Sequence, residues 1–246
     1  MGSDAKNNNL FYWKLDPCNQ NACCYDLSGH TTAIAKIIIN DEGSCIVSSD
    51  KYNGEVVVWD VVHKEAQLLN GNYLYPITAM ALSKDSTLLW VCSGSIISLW
   101  QKCKNREFNL LNNINLREKD AIICRMLMNE KIGRLVVGRT DGKLSVISTN
   151  TLKEVFTLTG HRNTPINGLV GNDMGNVIVS STNGIADNVM VWDISTGECL
   201  TNLVGHPGIT ALLLTRDMRY IVSQSRQNVC LWHMYDESEE QSLDYI

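Results

Sequence analysis

The chain holds 246 residues, 44% of them hydrophobic and 19% charged, with a formal net charge of −5 at pH 7. That apolar share excludes disorder as the dominant state, and the length suffices for one sizeable core or at most two. The acidic balance disfavours a nucleic-acid binder built on a global positive field, and no apolar run approaches the roughly 18 residues a membrane helix needs.

The predicted elements are strands, and they repeat. Residues 1–9 read as a flexible lead-in without the apolar stretch of a signal peptide. Leu10–Leu15, carrying Trp13, and Ala22–Leu27 read as two strands of a partial unit over 10–28. Five full units are expected to follow, over about 29–70, 71–115, 116–159, 160–204 and 205–246. Units of 40 to 50 residues are the size of propeller-type repeats.

Each unit runs through the same order. An apolar–polar alternation comes first, as in Ile34–Ile37, Ile77–Leu82, Ile166–Val170 and Ile209–Leu214. A polar turn such as Asn40–Gly43 or Ser83–Ser86 follows, then an apolar, mostly β-branched run: Cys45–Val47, Leu88–Val91, Leu135–Val137, Val177–Val179, Tyr220–Val222. Asn53-Gly54 and Asp141-Gly142 are dipeptides that tolerate the positive φ of hairpin turns. Short strands at this spacing mean an all-β fold. Leu116–Ile132 contains the helix-friendly Arg117-Glu118-Lys119, but the repeat phase makes it a strand after a long loop. Residues 236–246, with Asp236, Glu237, Glu239 and Glu240, read as a solvated acidic tail.

Two signatures run in phase with this order. Trp59, Trp100, Trp192 and Trp232 close strand-like runs, with Ile147 in the matching place of the third unit. Gly-His occurs at Gly29-His30, Gly160-His161 and Gly205-His206, which lie 29, 31 and 26 residues (His to Trp) ahead of Trp59, Trp192 and Trp232. The nine cysteines include no Cys-x-x-Cys pair. They are expected to be reduced, mostly buried thiols in a cytoplasmic setting, with the nucleus also open.

These residues resemble the WD-repeat family of β-propellers, over about residues 10–235. The resemblance implies four-stranded antiparallel blades and, within a blade, a hydrogen-bonded set of His, Ser/Thr, Asp and Trp. In the best copy the candidates are His161, Ser180 (over Ser181), Asp187 and Trp192. In the first full copy they are His30, Ser49 (over Ser48), Asn53 and Trp59, and in the last His206, Ser223, Gln227 and Trp232. The second copy departs from the pattern with Asn72 for His, and the third lacks both His and Trp. A buried indole N–H needs an acceptor, which a His–Ser–Trp chain supplies.

Nothing points to catalysis, a metal or a cofactor. Gly-x-Ser-x-Gly, P-loop, His-Glu-x-x-His and paired-carboxylate motifs are absent from the sequence. Ser, His and Asp recur from repeat to repeat, as a structural set does, whereas an active site occurs once. The expected function is therefore a non-catalytic scaffold that binds proteins or peptides through its loops, with no direct nucleic-acid or membrane contact. Candidate contacts are Tyr52, Thr140, Ala186 and Arg226 beside the hairpin turns, and Tyr73, Arg162 and Asn163 beside the Gly-His positions. Val62 and Ser195 stand where ubiquitin-ligase adaptors of the family carry Arg, which disfavours that role. The alternatives are the sensor region of a larger nucleotide-binding signalling protein and an enzyme using the channel mouth. Five units and a part imply an incomplete propeller that self-associates through an open edge, or else a small five-blade ring.

Overall fold

The computed structural model describes residues 2–4, 9–15, 22–116, 121–172, 175–184, 188–204 and 208–234, and every regular element there is a β-strand. The chain forms two compact units, Met1–Arg117 and Glu118–Ile246.

The first unit contains three sheets of antiparallel neighbours. β1 (Gly2–Asp4), β2 (Asn9–Leu15) and β3 (Ala22–Leu27) make the first. β1 pairs with β2 through Ser3 opposite Leu10, so a strand lies within the lead-in expected to be flexible. The second sheet is β4 (Ile34–Ile39), β5 (Cys45–Asp50), β6 (Val56–Asp60) and β7 (Glu65–Leu69). The third is β8 (Ile77–Leu82), β9 (Leu88–Ser93), β10 (Ile96–Lys102) and β11 (Phe108–Asn115).

The second unit repeats this plan. Its first sheet is β12 (Ile123–Asn129), β13 (Arg134–Arg139), β14 (Lys143–Ser148) and β15 (Glu154–Thr159). Its second is β16 (Ile166–Gly171), β17 (Val177–Thr182), β18 (Asn188–Asp193) and β19 (Glu198–Val204). Its third is β20 (Ala211–Leu214), β21 (Tyr220–Gln224) and β22 (Val229–His233). Within the stretch Leu116–Ile132, Ile123–Asn129 is the strand β12, while Arg117–Lys119 lie outside the described residues. Four sheets have four strands among the described residues, and the end of the fifth unit, beyond Met234, lies outside them. The acidic segment 236–246 lies outside them.

The residue pattern explains the layering. β5, β9, β13 and β17 are buried on both faces almost throughout, and they carry the near-continuous apolar runs such a position requires. The outermost strands β7, β11, β15 and β19 are mostly exposed. The same irregularity recurs where the innermost strand of each four-stranded sheet starts, between Ile34 and Lys36, Ile77 and Ala79, Ile123 and Arg125, and Ile166 and Gly168. One backbone template is being copied, bulge included.

Neighbouring sheets meet face to face by a single rule. The face carrying the Trp of one sheet packs on the Trp-free face of the sheet before it. Trp59 sits on Leu10, Tyr12 and Leu27, and Trp100 on Val47 and Val58. Trp192 sits on Val136 and Val146, and Trp232 on Val179 and Val191. A buried Trp of this kind is worth roughly 3–5 kcal/mol against truncation to Ala.

Polar staples reinforce these junctions one repeat apart. Asn40 Nδ2 donates to Ser86 Oγ (2.9 Å), Asn129 Nδ2 to the Gly175 carbonyl (2.6 Å) and Asn172 Nδ2 to the Arg216 carbonyl (2.7 Å). Gly142 makes a backbone contact no other residue permits. Its φ is +79°, and a Cβ there would lie 1.9 Å from the His161 carbonyl oxygen.

Candidate functional site

Strand alternation decides which serine joins each buried set. Trp59 is opposite Ile46 across β5 and β6, so Ser48, two residues on, shares the face of Trp59 and Ser49 does not. Trp59 Nε1 donates to Ser48 Oγ at 2.8 Å, and His30 Nε2 lies 2.6 Å from the same oxygen. The assignment to Ser49 is thus corrected: its hydroxyl is buried without a hydrogen-bond partner. In β17 and β18 the same geometry selects Ser180, whose Oγ accepts from Trp192 Nε1 at 2.8 Å and lies 2.7 Å from His161 Nε2. Ser223 accepts from Trp232 Nε1 at 2.9 Å. Asp187 and His206, like Ala186, lie outside the described residues.

Asn53 does not supply the acidic partner expected beside His30. Its side chain reaches only Thr31 Oγ1, at 3.4 Å. The carboxylate near the imidazole is Glu55, with Oε2 3.7 Å from His30 Nδ1. Burial pushes the His30 pKa below its ordinary 6.5, against the opposing pull of Glu55 and Asp50. The ring is therefore neutral at pH 7 and serves packing and hydrogen bonding.

The two atypical copies replace the set in different ways. In β9 the serine position is Val91, because Trp100 pairs with Leu89. The indole N–H of Trp100 donates instead to the Tyr73 hydroxyl at 2.9 Å. Tyr73, expected as a loop contact, thus turns its hydroxyl into the sheet, and burial raises its pKa. In the third copy Arg139 is 2% exposed and forms a bidentate pair with Asp141, at 3.1 and 2.6 Å.

The remaining loop candidates divide. Thr140 is tied down, its Oγ1 accepting from the Ile122 amide at 3.0 Å. Arg162, Asn163 and Arg226 are exposed. Tyr52 is 62% exposed, and its loop is organised by a carboxylate that sequence reasoning missed. Asp50, fully buried, accepts from the amides of Tyr52 (3.2 Å), Asn53 (2.7 Å) and Glu55 (2.8 Å) and from Thr32 Oγ1 (2.6 Å). Burial alone would raise its pKa, but these four donors hold it below the usual value.

Beside Tyr52 lies a second loop that sequence reasoning did not single out. Leu74 is 86% and Tyr75 61% exposed. The signal was available: Leu74-Tyr75 is an apolar pair in a loop just ahead of Pro76, outside any strand pattern. Both loops are held. Gly54 (φ +71°) allows the first to pack on the second, since a Cβ there would lie 2.8 Å from Tyr73 Cβ. Ser93 Oγ donates to the Tyr75 carbonyl at 2.7 Å. Lys51 Nζ stands 5.3 Å from the Tyr52 ring centre. Three large side chains are thus displayed on fixed backbone.

Elsewhere in this unit a cleft of about 320 Å³ lies between β7 and the β10–β11 turn, lined by Asp60, Glu65, Lys102, Arg106, Glu107 and Cys45 among others. Burial pushes the Cys45 thiol up, away from the thiolate a nucleophile needs. Cys24, Cys103 and Cys199 are exposed, so burial is not the general rule for the thiols. Among the described residues no group of three or more His, Cys, Asp or Glu is placed to hold a metal ion.

Within each unit, successive antiparallel sheets packed Trp face on Trp-free face, three of their tryptophans bonded to a serine hydroxyl, define a propeller-type repeat protein. A family model for the WD domain, G-beta repeat, matches residues 21–60 and 152–193. Those two segments are WD repeats, one in each unit. Repeats of this family generally act as protein-interaction scaffolds and are usually non-catalytic. No curated protein matches the chain.

Proposed function

We propose that the chain is a non-catalytic binding module that takes a peptide or protein partner on the loops of its first unit. Tyr52, Leu74 and Tyr75 are the anchors. The observation that carries this reading is their exposure, at 62%, 86% and 61%, on two adjoining loops fixed by Asp50, Gly54 and Ser93. Exposed large apolar groups cost solubility, and their clustering on ordered backbone supports an interaction site. Rigid aromatic anchors also lose little conformational entropy on binding.

Comparative affinity capture tests this, with the wild-type chain against a Tyr52→Ser, Leu74→Ser, Tyr75→Ser variant. An anchor worth about 2 kcal/mol corresponds to roughly thirtyfold in affinity, so the triple variant is expected to lose the partner. Its thermal unfolding is expected to match the wild type, because all three side chains are exposed. An identical set of captured proteins would reject the reading.

A further inference from the structure

The segments around Tyr52, Leu74 and Tyr75 hold few charges. Residues 28–33, 70–76 and 93–95 contain no Asp, Glu, Lys or Arg, and the turn 50–55 contains three: Asp50, Lys51 and Glu55. Two of the three are spent inward. Asp50 is fully buried under its four donors. Glu55 accepts from the Thr31 amide at 3.1 Å and from Thr31 Oγ1 at 2.6 Å, and it lies 3.7 Å from His30 Nδ1.

Lys51 is the third, and it is exposed. Its amide donates to the Ala33 carbonyl at 2.8 Å, which fixes the root of the side chain, and Nζ stands over the Tyr52 ring. It makes no ion pair among the described residues. Tyr75 is also backed on one side, its ring lying against Gly94, where a Cβ would come 3.0 Å from Tyr75 Cδ2. One ammonium without a counter-charge therefore stands beside three apolar anchors. A basic group arriving there meets a like charge, and a carboxylate meets an opposite one.

We infer, on the reading of these loops as the binding surface, that the partner segment carries an Asp or Glu side chain next to its apolar residues, and that Lys51 selects it. The chain as a whole is acidic, at −5, so this preference is local. The ammonium acts within about 10 Å at about 0.1 M salt, beyond which exposed charges are screened. A charge at the rim of apolar anchors governs which partner enters more than how tightly it is held.

Selection from a bead-bound library of random decapeptides tests this, with the wild type and a Lys51→Glu variant run in parallel. Peptides selected by the wild type are expected to be enriched in Asp and Glu over the starting library, and those selected by Lys51→Glu to lose that enrichment. Measured singly by fluorescence anisotropy, the wild-type peptides are expected to bind Lys51→Glu at least about threefold more weakly, because the reversal replaces a screened attraction with a screened repulsion. About 0.5 M sodium chloride is expected to remove most of that difference. Lys51→Arg, which keeps the charge, is expected to bind as the wild type does, and thermal unfolding of both variants to match it, since the side chain is exposed. Peptides without acidic enrichment, or with equal affinity for Lys51→Glu, overturn the charge selection. If such peptides still fail to bind the Tyr52→Ser, Leu74→Ser, Tyr75→Ser variant, the binding surface stands and takes a partner of other chemistry. Peptides that bind the triple variant as tightly as the wild type overturn the surface itself, and the charge selection with it.

Discussion

The indole N–H of Trp100 donates to the Tyr73 hydroxyl across 2.9 Å, in a sheet whose serine position is not a serine. The valine at the serine position, Val91, cannot accept a hydrogen bond, and a residue from the preceding loop does so instead. Tyr73→Phe removes that acceptor, together with the hydroxyl's hydrogen bond to Ser98, and leaves a buried donor unpaired. The expected cost is roughly 1–3 kcal/mol in urea unfolding. Adding Trp100→Phe should recover part of it in a double-mutant cycle, and full additivity would show that the bond carries no coupling.

Ser48 and Ser49 are adjacent and chemically identical, yet they should respond differently to the same change. Ser48→Ala strips the acceptor from Trp59 and the partner from His30, both buried, at an expected cost of roughly 2–4 kcal/mol. Ser49→Ala removes a buried hydroxyl that has no partner, so it should leave stability within about 1 kcal/mol of the wild type. Thermal unfolding of the two variants side by side measures the difference, and equal losses would contradict the strand alternation.

His30 gives the fold a pH dependence of definite sign. Its folded pKa is lowered from 6.5 by burial, so below that pH the unfolded chain takes up a proton that the folded chain refuses. Its contribution to stability is therefore intact above about 6.5 and falls as pH drops, until the folded state's own lowered pKa is reached. The slope from one such proton approaches about 1.4 kcal/mol per pH unit. Urea unfolding from about pH 7.5 to about pH 5.5 should show the fall. His30→Gln should show a shallower one, and identical slopes would assign the pH dependence to other groups.

Much of this fold is written in the periodicity. The Trp and Gly-His signatures locate every strand that closes on a Trp, because each copy must bury an indole at the same junction. Repeat phase also places the strand Ile123–Asn129. What periodicity carries poorly is which of two neighbouring residues faces inward, since that depends on the register that puts Ile46 opposite Trp59. It also cannot register a substitution made from outside the repeat position, as with Tyr73 standing in for a serine 18 residues further on at Val91. At the candidate site, Tyr52 is legible as an aromatic residue beside a turn. Asp50 is not, because its role lies in three amides and a hydroxyl that converge only after folding. Leu74 and Tyr75 carry a signal that the Gly-His phase obscures.

Selection of random peptides displayed on phage against the immobilised chain tests the central claim most directly, because it works without an identified partner. Selected peptides are expected to bind the Tyr52→Ser, Leu74→Ser, Tyr75→Ser variant at least about tenfold more weakly than the wild type, while a Leu200→Ser variant on exposed β19 binds them unchanged. Peptides that bind the triple variant as tightly as the wild type would contradict the assignment of these loops as the binding surface.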